Sequence, residues 1–124
     1  MDKAVQSRYK EVRDLAYSIV NSLREEASRQ GFTDVDSSVT DPDTAEYELQ
    51  KDPANGEYSL VGKWRSKNGG QAGLLLFHSD GSFFVEHDIV MPHPVKSHMF
   101  VEAVEAWGRD DNINVETKLL PMPK

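Results

Sequence analysis

The sequence predicts an α+β fold, with a long N-terminal helix and a short second helix packed on a mainly antiparallel five-stranded sheet. Three observations point to it. The first thirty residues repeat apolar side chains at helical spacing. Residues 46–90 alternate apolar with polar and are cut by short turns. No second long helical period separates the strands, so hairpins rather than crossover helices join them. The chain has 124 residues, the length of one domain, and residues 1–124 are read as such. The expected element order is α-β-β-β-β-α-β.

Residues 2–30 form the first element. Val5, Tyr9, Val12, Ala16, Ile19 and Leu23 recur at steps of three and four and make one apolar stripe. Leu15, Val20 and Ala27 widen it. Glu25 precedes Arg29 by one turn, the favourable order for a helix pair. Gly31 is a natural stop, since glycine accepts the left-handed conformation past a helix end. The helix is long for a chain of this size, so part of its stripe is open to facing a partner.

An acidic loop, residues 32–46, follows, without period and rich in turn formers. Tyr47 and Leu49 then alternate with Glu46, Glu48 and Gln50 in a short strand. Asp52–Gly56 is a turn, 57–66 a second strand, Lys67–Gly70 a turn and 72–78 a third strand. Asp80-Gly81 fits a two-residue hairpin loop, and 82–90 is the fourth strand. Pro92 and Pro94 interrupt regular structure around His93. Ser97 is a good N-cap for a helix over 98–107 with Phe100, Val101, Val104 and Trp107 inward, closed by Gly108. Ile113, Val115, Thr117 and Leu119 alternate in the last strand. Pro121 and Pro123 mark a Pro-rich tail, 121–124.

A two-residue loop at Asp80-Gly81 fixes a register. It opposes Leu76 to Val85 and Leu74 to His87. One face then holds Leu74, Leu76, His78, Phe83, Val85, His87 and Ile89, and the other Leu75, Phe77, Phe84, Glu86, Asp88 and Val90. Both faces carry large apolar residues and both need cover. A homodimer is expected to supply what two helices do not.

Charge narrows the partners. The formal net charge is −7, and the segment 32–57, with eight acids and only Lys51 as a base, accounts for all of it. Such a segment repels nucleic acid and anionic membranes and attracts a basic protein. There is no cysteine, which excludes disulfides and thiolate metal sites. The charged N-terminus carries no signal-peptide pattern and no apolar run is long enough to span a bilayer, so the expected compartment is the cytoplasm.

Several motifs invite chemistry. Three of the four histidines lie in 86–98, and His87, Asp88, His93 and His98 make a candidate divalent-metal set, although the spacing matches no zinc pattern. Asp34, Asp36 and Ser38 resemble the opening of a calcium loop, but Val39 stands where the turn glycine belongs and Ala45 where the closing glutamate belongs. Gly69-Gly70-Gln71-Ala72-Gly73 runs into a strand, whereas phosphate cradles run into a helix. Lys63-Trp64-Arg65 alternates as a half-buried strand does. Gly62 and Gly73 leave gaps beside Trp64 and Phe77, a candidate pocket that a packed helix would also fill.

No motif names a reaction and no cofactor is implied. The reading is a non-enzymatic interaction module, a homodimer, that meets a basic partner through Asp34, Asp36, Asp41, Asp43, Glu46 and Glu48. The alternative is a small-ligand or divalent-metal binding protein using the His87–His98 segment.

Overall fold

The computed structural model describes residues 2–32, 41–66 and 69–122. Helix α1 runs Lys3–Arg29. A 3-10 turn at Pro42–Thr44 follows, then six strands: β1 Glu46–Lys51, β2 Tyr58–Arg65, β3 Gln71–Phe77, β4 Ser82–Pro92, β5 Met99–Arg109 and β6 Asn112–Pro121. The strands form one antiparallel meander in the order β1-β2-β3-β4-β5-β6.

Both ends of α1 are fixed locally. The Asp2 carboxylate accepts the Val5 amide at 2.9 Å, satisfying one orphan donor of the first turn. At the other end Phe32 N–H reaches Ala27 O and Gly31 N–H reaches Ser28 O, both at 3.0 Å, with Gly31 at φ +99°. That double closure needs a left-handed residue, and Gly31 supplies it. Between the ends, Val5, Val12, Ala16, Ile19, Val20, Leu23 and Ala27 are buried. The stripe predicted from periodicity therefore packs on the chain's own sheet, along a helix ~40 Å long.

Opposite the stripe, β2–β5 contribute Leu60, Trp64, Leu75, Phe77, Phe83, Val85, Val104 and Ala106. Two glycines on this face lie under aromatic rings from the neighbouring strand. A Cβ at Gly62 would meet the Tyr47 ring at 2.5 Å, and one at Gly73 would meet Trp64 and the Glu86 carbonyl oxygen at 2.6 Å. The gaps are thus filled from within the sheet.

Three expectations are corrected. The sheet has six strands instead of five. The extra one is β5, in place of the predicted helix over 98–107. The cause is a bulge between Val101 and Ala103 against β6. One inserted residue shifts the alternation, so buried positions 101, 103, 104 and 106 imitate a helical period. Finally, the β3–β4 register is off by one. Gly81, at φ +89°, closes a three-residue loop, with Gly81 N–H bonded to His78 O and His78 N–H to Ser82 O. Leu75 therefore faces Val85 and Leu74 faces Glu86. In a strand a one-residue slip exchanges the faces, and here it puts Phe83, Val85 and His87 on the side of Leu75 and Phe77 instead of with Leu74, Leu76 and His78.

A second irregularity bends the sheet. Between Asp88 and Met91 the β4–β5 pairing skips, and Val90 sits at φ +53°. A β-branched residue there is strained, by ~1–3 kcal/mol.

Candidate functional site

The register assigns every strand residue to a side. Even-numbered positions of β3, β4 and β6, odd-numbered positions of β2, and in β5 the odd-numbered positions from Ala103 onward together with the bulged Glu102, point away from α1. Among the described residues the one α-helix lies on the other face. Among the described residues no helix covers the outward face, whose side chains stand in rows ~7 Å apart.

Its middle row is apolar. Val61, Leu76, Phe84 and Trp107 are register partners across four strands, flanked by Glu48 and Asn114 at the edges. Val61 is 4% exposed, whereas Trp107 is 38% exposed. The row thus passes from a packed side chain on β2, through half-buried Leu76 and Phe84, to an open aromatic ring on β5.

The next row runs Glu46, Lys63, Leu74, Glu86, Glu105 and Glu116. Three glutamates stand directly opposite one another on adjacent strands. Like charges so placed repel at ~5 Å. Asp88 and Glu102 lie beside them, and Lys118 is the nearest cation, 3.9 Å from Glu86 and 4.0 Å from Glu102. Burial, together with hydrogen bonds to Glu116 and Glu86, pushes the Glu105 carboxyl up to about 7. Burial and the neighbouring Glu86 raise Asp88 as well.

The opposite flank, at the 79–81 loop, is polar. Ser59 and His78 share a hydrogen bond of 2.8 Å between Oγ and Nδ1. The Ser79 hydroxyl donates to Glu57, and Ser82 Oγ donates to Asp80 at 2.5 Å. Asp80 also pairs with Arg109 at 3.0 Å. A cleft of about 270 Å³ opens among Asp52, Glu57, Ser59, His78, Asp80 and Ser82. A hydroxyl–imidazole pair begins a nucleophilic site. Among the described residues, however, no carboxylate is bonded to the other ring nitrogen of His78.

The residues singled out from sequence are dispersed. Asp34 and Asp36 lie outside the described residues. Asp41 accepts the Tyr17 hydroxyl at 2.8 Å, and its backbone carbonyl accepts Trp64 Nε1–H at 2.9 Å. The Asp41 bond pushes the Tyr17 phenol up to about 12. Asp43 accepts the Tyr9 hydroxyl at 2.5 Å and pairs with Arg13 at 2.8 Å. The Arg13 and Tyr9 bonds hold its carboxyl well below the ordinary range. Glu46 pairs with Arg65 at 3.0 Å. Glu48 is exposed on β1, at the edge of the apolar row.

The metal set is not brought together. His87 lies on the helix side, edge-on to Trp64, and Asp88 on the outward face. His93 is 5% exposed, not at the surface. Its Nδ1 accepts the Val95 and Lys96 amides at 3.0 and 2.8 Å, which leaves Nε2–H to donate to Gln30 Oε1 at 2.9 Å. It ties the 93–98 loop to the end of α1. His98 is exposed. Among the described residues no group of three or more His, Asp or Glu is placed to hold a metal ion. Trp64 and Phe77 are 1% and 2% exposed, inside the core.

Sequence reasoning did not find the glutamate row. It needs β5 as a strand in register with β4 and β6, and reading 98–107 as a helix hides it.

No protein-family model matches the chain, and no curated protein or solved structure matches it either. Among the described residues, no helix is long and apolar enough to cross a membrane.

Proposed function

We propose that the chain is a non-enzymatic protein-interaction module whose outward sheet face receives a basic segment of a partner. The observation that supports this is one face with an apolar row, Val61–Leu76–Phe84–Trp107, beside the Glu86–Glu105–Glu116 row. A partner segment with aliphatic or aromatic residues between lysines or arginines complements both. The apolar contact supplies burial, and the carboxylates supply orientation and association rate. Glu46 and Glu48, exposed on β1 at the edge of the same face, extend this field, and the charges of Asp34, Asp36, Asp41 and Asp43 add to the net negative charge that attracts a basic partner over long range. A homodimer through this face is the competing arrangement, disfavoured in any orientation that brings the two glutamate rows into contact.

The test uses a synthetic peptide of alternating lysine and leucine. Trp107 is the reporter, because Trp64 is buried in the core. Saturable change in Trp107 emission is expected, absent in Trp107→Phe. Glu86→Lys with Glu116→Lys should weaken binding by about tenfold or more, as should added salt. Equal affinity in the reversed variant, or the same response to a glutamate–leucine peptide, would contradict the proposal.

A further inference from the structure

The glutamate row has a property that its role in docking does not require. Glu105 stands opposite Glu86 on one side and Glu116 on the other. Two carboxylates in hydrogen-bond contact are stable only when one of them holds a proton, because two anions so close repel. The surroundings reinforce this. Glu86 and Asp88 face the site from β4, Glu102 from β5, Glu116 and Lys118 from β6, and Lys63 from β2 along the same row. Lys118 is shared between Glu86 and Glu102 at 3.9 and 4.0 Å. Its charge also acts on Glu105, but burial and the contact with Glu116 outweigh it, and Glu105 is the carboxyl that keeps a proton.

Resting on the docking role just proposed, we infer that the Glu86–Glu105–Glu116 ladder holds one shared proton in the free protein and releases it when a partner's lysine or arginine arrives. The balance is simple. The O–H bond of the shared carboxyl breaks, the proton passes to solvent, and the arriving cation replaces it as the counter-charge. No bond to the partner forms. Burial and the two glutamate contacts place Glu105 at about 7, where such an exchange responds to modest pH change. Binding is therefore tighter on the alkaline side of neutrality, and the module responds to pH without a histidine.

Calorimetry tests it with the same lysine–leucine peptide and the full chain. Binding heats are measured near neutral pH in two buffers of different ionisation enthalpy. Release of about half a proton per complex is expected at pH ~7 and approaching one at pH ~6, with affinity rising about tenfold from pH ~6 to ~8. Glu105→Gln should abolish both effects, while His78→Asn, which removes the imidazole on the same face, should leave both intact. Peptide binding with no proton exchange and no pH dependence would overturn this inference and leave the docking role standing. Absence of any binding to the outward face would overturn both. Proton release that survives Glu105→Gln but is lost in His78→Asn would assign it to the imidazole and overturn the ladder.

Discussion

Three successive residues of β4, Glu86, His87 and Asp88, show how differently the two faces of this sheet are built. His87 turns toward α1, is 8% exposed, and lies edge-on to Trp64 with its Nδ1 lacking a hydrogen-bond partner among the described residues. Burial lowers its pKa, so the neutral ring is the form that fits. Glu86 and Asp88 turn the other way, into a group of carboxylates that share Lys118 as a counter-charge. Beside Trp64 the helix side favours the uncharged ring. The outward side gathers charge that nothing within the described fold fully neutralises. One side is organised for folding, and the other holds repulsion in reserve that a cation from outside can relieve.

The comparison breaks most sharply by truncation. Trp64→Ala on the helix side should cost about 3–5 kcal/mol, from lost burial and the cavity left behind. Phe84→Ala on the outward side removes a half-buried ring and should cost about 1 kcal/mol. Urea unfolding midpoints at unchanged slope measure both. Similar losses at the two positions would mean that the outward row is core. A filled gap gives a smaller effect of the same kind. Gly73→Ala places a Cβ 2.6 Å from a backbone oxygen that has little freedom to move, and should cost about 1–3 kcal/mol. Gly62→Ala meets only the Tyr47 side chain and should cost less.

Relief of strain works in the opposite direction. Val90 is 63% exposed at φ +53°, so little packing is lost on replacement. Val90→Gly should stabilise the fold by up to about 1 kcal/mol, the strain relieved minus the entropy of glycine. Thermal unfolding decides, and a lower melting temperature would mean that this bulge is not strained.

Titration separates the faces by sign. Glu105 is raised from its ordinary 4.5 to about 7, so the folded state binds a proton that the unfolded state has lost. Its contribution grows as pH falls from about 7 toward 4.5 and is lost as pH rises through about 7. His87 acts oppositely. Its folded pKa lies below 6.5, so stability falls as pH drops through 6.5 toward that lower value. In Glu105→Gln the acid-side gain should vanish and leave the His87 loss exposed. His87→Phe should do the reverse. Denaturant midpoints across pH 4–8 give both slopes, and parallel slopes in the two variants would contradict the assignment.

What was legible in the sequence follows the same division. Helix α1 was readable nearly to the residue because its stripe, Val5 to Ala27, faces one surface throughout, and because Gly31 ends it by backbone geometry. Strands β1 to β4 were readable from alternation. β5 was not, because its bulge at 101–103 imitates helical spacing, and strand pairing with β4 and β6 overrides the local signal. The one-residue error at Gly81 has a similar origin, since Asp-Gly suits both a two-residue and a three-residue loop and only the packing of Phe77 and Phe83 on the helix side selects between them. The glutamate ladder and the apolar row both depend on those two registers. They are properties of pairing across strands, which spacing along the chain does not record.

The most direct measurement is a two-dimensional amide NMR titration of the full chain with the lysine–leucine peptide. The account predicts saturable shifts centred on Val61, Leu76, Phe84, Glu105 and Trp107, with α1 unmoved. Shifts confined to α1 or to residues 41–48, or no shifts at all, would contradict the claim that the outward sheet face is the binding surface.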